Sequence, residues 1–201
     1  MDIIITGIRK LKTASLLQII SVILLLVAVF TLWGVLFAFS LEAILATGIL
    51  GVVIMFIAVI LAFIAVFAYL VPSAGDLAKW RPDEFSTPSK LMKIGYIGGL
   101  VLVIIAILLL IVAILAENVL MVLGALGLIV LGGILAFIGW IGNLIYFFKL
   151  NGVFKESLFL IAGILLIISL FVGVTGFIAW ILAFAGAGSV EKKIISGTIQ
   201  V

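Results

Sequence analysis

Five stretches of this chain are each long and apolar enough to cross a lipid bilayer, and nothing else constrains its fold as strongly. They cover 11–39, 43–71, 88–116, 119–148 and 157–188. A helix crosses the hydrocarbon core with about 20 apolar residues, rising 1.5 Å at each. Every stretch offers roughly 28 to 32 residues, or about 42 to 48 Å, enough to pass the head-group regions with some tilt. The expected fold class is all-α, a polytopic transmembrane helix bundle of five spans. It forms one integral membrane domain over 1–201, with a cytoplasmic loop at 72–87.

The last stretch has a second reading, because "VGVTG" at 172–176 could turn the chain and make a hairpin of two short helices. Each half would hold about 16 residues, short of the crossing requirement. Length therefore favours one helix and five spans, with six as the alternative. At the other end, the Ala38-Phe39-Ser40 step after a basic start has the flavour of a signal peptide. The preceding apolar run far exceeds the 7–15 residues of such a region, so the first segment is expected to be a retained anchor.

Basic residues orient the spans, since cytoplasmic loops carry the excess of lysine and arginine. Arg9, Lys10 and Lys12, then Lys79, Arg81, Lys90 and Lys93, then Lys149 and Lys155 share one side; only Lys192 and Lys193 fall opposite in the five-span reading. The hairpin alternative would place all eleven basic residues together. A multi-pass cell-membrane protein with a cytoplasmic N-terminus is expected in both.

A search for internal repeats finds "ILAFIA" at 60–65 returning as "ILAFIG" at 134–139. At the same displacement Gly51, Ala58, Ala62 and Ala65 fall on Ala125, Gly132, Ala136 and Gly139. Steps of four and three keep such residues on one helix face. Lipid solvates leucine as well as a neighbouring helix does, so helices in membranes associate where small residues let backbones approach. Ala58, Ala62, Ala65, Gly132, Ala136 and Gly139 are the expected helix-packing positions.

The polar stretch 70–93 holds all three prolines. Ser73 with Asp76 reads as a capping-box-like start of a short interfacial helix, ended by Pro82. Ser86 or Thr87 would cap the third span, with Pro88 in its first turn. Trp80, Lys79, Arg81, Lys90 and Lys93 form a candidate surface for anionic lipid heads or an acidic partner, although Asp76, Asp83 and Glu84 oppose it.

Chemistry is scarce. With no cysteine and no histidine, disulfides, thiolate or imidazole metal sites and the usual haem ligands are excluded. No charged residue stands near the middle of a span, where proton relays place theirs. Neither G-x-x-x-x-G-K-[ST] nor G-x-G-x-x-G occurs. We expect no catalytic residue, no cofactor, no metal and no nucleic-acid partner. The uncharged polar candidates within the spans are Gln18, Ser21, Thr31, Asn143, Ser169 and Thr175.

The segments "GDLAKWRPDEFSTPSKLMKIGYIGGL", "NLIYFFKLNGVFKESLFLIAGILLI" and "GFIAWILAFAGAGSVEKK" resemble uncharacterised multi-spanning membrane families of thermophilic archaea, of the domain-of-unknown-function type. The likeness covers most of the chain from about residue 9. It implies five or six membrane helices and an archaeal origin, and brings no activity or site residues.

Two functional expectations follow from different classes. The first is a non-catalytic accessory subunit or self-assembling scaffold, with membrane lipid, other membrane subunits or further copies of itself as partners. The second is a small transporter or channel, which requires a polar-lined cavity near Gln18, Ser21 and Asn143 and would not survive solid apolar packing throughout.

Overall fold

The structure, a computed structural model, describes residues 2–35 and 40–198. The expected end of the first span at Phe39 and the Ala38-Phe39 step lie outside them. Six helices follow one another: α1 (Asp2–Gly34), α2 (Leu41–Trp80), α3 (Pro82–Leu115), α4 (Val119–Phe154), α5 (Ser157–Ile168) and α6 (Val174–Ile195). All but α5 are long and apolar enough to cross a membrane. Among the described residues there is no strand.

Two expectations need correction. The stretch 72–87 is helix, not loop: α2 runs unbroken to Trp80, Arg81 alone breaks the path at φ −128°, and Pro82 opens α3. Ser73 and Asp76 cap nothing, and Pro82 starts a helix rather than ending one. Ser86, Thr87 and Pro88 all lie inside α3. Helix persists because its polar groups find partners on other helices: the Ser73 hydroxyl bonds the Gly7 carbonyl and Lys10 bonds Asp76. Pro72, whose ring would collide with the carbonyl four residues back in a regular helix, follows a wide π-helical turn at Ala65–Leu70.

The second correction concerns 157–188, where the chain breaks at Ser169–Gly173 and returns as α6 packed on α5. The length argument failed because the turn satisfies much of its own backbone. Nitrogens of Leu170, Phe171 and Val172 bond the carbonyls of Ile167 and Ile168, and the Thr175 hydroxyl reaches the carbonyls of Leu165 and Val172 at 3.1 and 2.8 Å. Irregular backbone within a membrane is tolerated once such groups are satisfied internally.

Each of the long antiparallel pairs closes on small residues spaced by seven. Ala14, Ser21 and Ala28 on α1 and Gly51, Ala58 and Ala65 on α2 are buried; so are Gly99, Ala106 and Ala113 on α3 and Ala125, Gly132 and Gly139 on α4. Seven-residue spacing keeps one seam facing the partner. Ser21 donates to the Ala58 carbonyl at 2.8 Å across the first seam. At the second, a Cβ on Gly99 would lie 2.8 Å from the Gly132 carbonyl oxygen.

At the basic end all the helices converge on an apolar and aromatic core that includes Phe85, Tyr146, Phe147, Phe154 and Phe159. Salt bridges collar it: Glu191 with Arg9 and Lys12, Asp76 with Lys10 and Lys79, Glu84 with Lys149, and Glu156 with Lys193. At the far end the architecture differs. There the α1–α2 and α3–α4 pairs diverge, and the outer part of α2 makes at most glancing contact with α3 or α4.

Candidate functional site

Where the two pairs diverge, two adjoining cavities open. The inner chamber, about 290 Å³, is walled by Gln18 of α1, Asn143 and Trp140 of α4, Ser169 at the hairpin turn, Trp180 of α6 and Tyr96 of α3. Outward of it lies an apolar cleft of about 420 Å³ between α2 and the α3–α4 pair. Val66 and Tyr96 line both. The cleft stands at the lower end of the range of about 300–1,000 Å³ typical of small-molecule sites, and the chamber just below it.

Helix irregularities build this junction. The π-helical turn Ala65–Leu70 of α2 supplies Val66 and Leu70, and a second one, Lys93–Ile97 of α3, supplies Tyr96. Such turns are rare and recur at functional sites. The broken α5–α6 hairpin adds Ser169 and Gly173 to the wall. Interrupted helices serve membrane carriers in the same way, exposing polar groups at depth.

The chamber lies within the bilayer's expected depth. Gln18 follows Lys12 by six residues and Asn143 precedes Lys149 by six, about 9 Å of helix from the charged collar in each case. Trp180 precedes Glu191 by eleven residues, about 16 Å. Asn143 is 1% exposed and its Oδ1 has no hydrogen-bond partner. A buried unpaired amide oxygen costs about 1–3 kcal/mol and calls for an explanation. Ser169 spends its proton on the Leu166 carbonyl at 2.7 Å, which leaves its oxygen free to accept. No Asp, Glu, Lys or Arg lines either cavity, and no group of metal-ligating residues occurs among the described residues.

The sequence-derived positions distribute as follows. Gln18, Asn143 and Ser169 meet in the chamber, whereas Ser21 belongs to the α1–α2 seam and Thr31 bonds back to Val27 of its own helix. Ala58, Ala65, Gly132 and Gly139 are buried in the seams; Ala62 and Ala136 stand beside them and line the cleft. Trp80 stacks on Phe85 and Phe154 at the base of the core and carries Arg81 over its ring at 5.0 Å. Lys79 leans on Asp76 at 3.4 Å, while Lys90 and Lys93 are exposed. Sequence reasoning passed over Tyr96, Trp140 and Trp180 as chamber residues. Aromatic rings in an apolar span look like ordinary packing, and only the π-helical turn rotates Tyr96 toward the junction.

Helix length, apolar lipid-facing surface and an uncharged polar chamber at depth define a multi-pass α-helical membrane protein. Within that class the chain belongs to the family described as "Protein of unknown function (DUF973)", whose sequence model matches residues 4–201. No curated protein and no solved structure matches it.

Proposed function

We propose that this protein is a non-catalytic carrier that binds a small uncharged molecule in the chamber and passes it across or within the membrane. The observation that carries this reading is Asn143, buried and unpaired in the wall of a cavity that also holds Gln18 and Ser169. An apolar bundle gains nothing from such a residue unless something hydrogen-bonds it. The scaffold reading loses part of its motive, because most of the small-residue stripes are used inside each helix pair. What still favours it is the open cleft, which a partner helix could enter.

The orientation with both termini cytoplasmic belongs to the same reading, supported by the gathering of basic residues at one end of the bundle. So does an origin of the two long pairs by duplication, supported by their matching seven-residue seams.

Transfer of uncharged hydrogen-bonding solutes, from glycerol to long-chain alcohols, into proteoliposomes tests the carrier, with Asn143→Leu as the control. Flux through the wild type that the variant loses supports it; equal flux in both overturns it. Extraction in mild detergent, followed by identification of any stoichiometric companion, tests the scaffold.

A further inference from the structure

We propose that the molecule held in the chamber is a single-chain amphiphile with an uncharged, hydrogen-bonding head, its hydrocarbon chain lying in the cleft between α2 and the α3–α4 pair. This rests on the reading of the chamber as a binding site.

Four observations converge on that chemistry. The chamber and the cleft adjoin, with only Val66 and Tyr96 shared by their walls. Their linings differ sharply: the cleft offers residues such as Ala62, Phe63, Val103 and Ile129, while the chamber offers Gln18, Asn143 and Ser169. One molecule with an apolar end and a polar end satisfies both, whereas a wholly polar solute would leave the cleft to lipid. Next, neither cavity contains a charged side chain. A charged head would be stripped of water with no counter-ion, a cost no neutral amide offsets. An alcohol or carbonyl head suits what is present. Rotation of the Asn143 amide presents a donor or an acceptor, and Ser169 retains an acceptor.

Access is the third observation. Phe63, Ile129 and Gly133 of the cleft wall are exposed on the outer flank of the bundle, so a chain can slide in sideways from the lipid without the helices parting. The fourth is depth along α4, where Gly133 of the cleft precedes Asn143 of the chamber by ten residues and so lies about 15 Å farther from the collar than the Asn143 amide. The head therefore points toward the collar and the chain away from it.

Gly133 provides the means to test the chain separately from the head. Gly133 lines the cleft and a Cβ there meets nothing within 4 Å, so Gly133→Phe is the variant that puts a large side chain into it. Ala62→Leu narrows it from the opposite wall. The full chain, with Trp33→Phe and Trp80→Phe so that only Trp140 and Trp180 of the chamber wall fluoresce, is placed in phosphatidylcholine nanodiscs. It is titrated with bromododecanol, with bromododecyltrimethylammonium and with bromoethanol as heavy-atom quenchers. We expect saturable quenching by bromododecanol, weakened about threefold to tenfold by Asn143→Leu, as loss of one hydrogen bond implies. It should be abolished by Gly133→Phe or, if that variant does not fold, by Ala62→Leu. Bromoethanol should quench all the cleft variants like the parent.

Linear quenching by bromododecanol that the cleft variants leave unchanged means partition into lipid and overturns the proposal. So does equal binding of the ammonium analogue. Saturation by bromoethanol without saturation by bromododecanol removes the amphiphile but leaves the chamber as a site. Saturation by neither removes both readings.

Discussion

The hydroxyls of Ser73 and Tyr146 stand 2.7 Å apart where α2 crosses α4, and both residues are fully buried. Ser73 has one proton, and the Gly7 carbonyl of α1 takes it at 2.7 Å. The Tyr146 hydroxyl must therefore donate to Ser73. One short chain of bonds, Tyr146 to Ser73 to Gly7, ties three helices together at the base of the bundle, beneath the chamber and within the aromatic cluster formed with Phe85 and Phe147.

Its direction makes the two deletions unequal. Tyr146→Phe removes a donor that Ser73 does not need, so unfolding in mild detergent should shift by only about 1 kcal/mol. Ser73→Ala strands the buried Tyr146 phenol, while the Gly7 carbonyl keeps its bond from Leu11 within α1, and should cost about 1–3 kcal/mol. Thermal unfolding of the two variants side by side checks this. Equal losses would contradict the donor assignment.

Why this arrangement escaped the sequence is instructive. Ser73 with Asp76 in a polar stretch reads locally as a helix start, and local signs decide when a segment stands alone. Here Gly7, Lys10 and Tyr146 approach from 66, 66 and 73 residues away and satisfy the same groups inside a continuous helix. The long apolar runs were legible because membrane thickness imposes one length on each of them. The turn at 169–173 was signalled only as a possible interruption at 172–176, because its partners, Thr175 with the Leu165 carbonyl, exist only after folding. Of the chamber, Gln18 and Asn143 could be picked out as polar residues in apolar spans that a carrier would bring to one cavity; that Tyr96, Trp140 and Trp180 wall it with them could not.

The closest helix contact yields a second prediction. Gly95 on α3 packs directly on the backbone of Gly139 on α4, so that a Cβ at Gly95 would collide with the Gly139 nitrogen and Cα. Backbone cannot yield as a flexible side chain does. Gly95→Ala should therefore cost at least the roughly 1–3 kcal/mol of an overpacked core, through separation of α3 from α4. Gly127→Ala on the same pair meets open space and should leave the unfolding temperature unchanged or slightly raised. Two equally mild variants would mean that the pair is not in this close contact.

A third concerns acid. Glu156 sits in the turn between α4 and α5, where burial pushes its carboxyl upward. Hydrogen bonds from Lys193 and Ser189, at 2.8 and 2.7 Å, outweigh that and hold it below the ordinary 4.5. A carboxyl lowered by folding stabilises the fold fully above its unfolded value, and that contribution vanishes as pH falls through the folded value. The wild type should thus unfold at a higher temperature than Glu156→Gln at neutral pH, with the gap closing below about 4.5. A gap that widened in acid would reverse the sign and refute the pairing.

The fourth prediction follows from the broken last helix. From Val174 to Lys192 is 18 residues, about 27 Å. On α4 the path from Val119 to Lys149 is 30 residues, about 45 Å. Measured from the same charged collar, the α5–α6 turn ends well short of the outer ends of α3 and α4. We expect its tip, with Phe171 86% exposed, to stay within the bilayer rather than reach the outer aqueous side. The chain has no cysteine, so single thiols report sidedness without background. With a membrane-impermeant maleimide on oriented vesicles, Lys79→Cys and Lys192→Cys should label from one side and Leu120→Cys from the other. Phe171→Cys should label from neither, because a thiol in lipid does not ionise to its reactive form. Labelling of Lys192→Cys together with Leu120→Cys would restore a single continuous helix over 157–188. Labelling of Phe171→Cys with Leu120→Cys would make the hairpin a full crossing, and Ser169 would then sit too near the outer surface to wall the chamber.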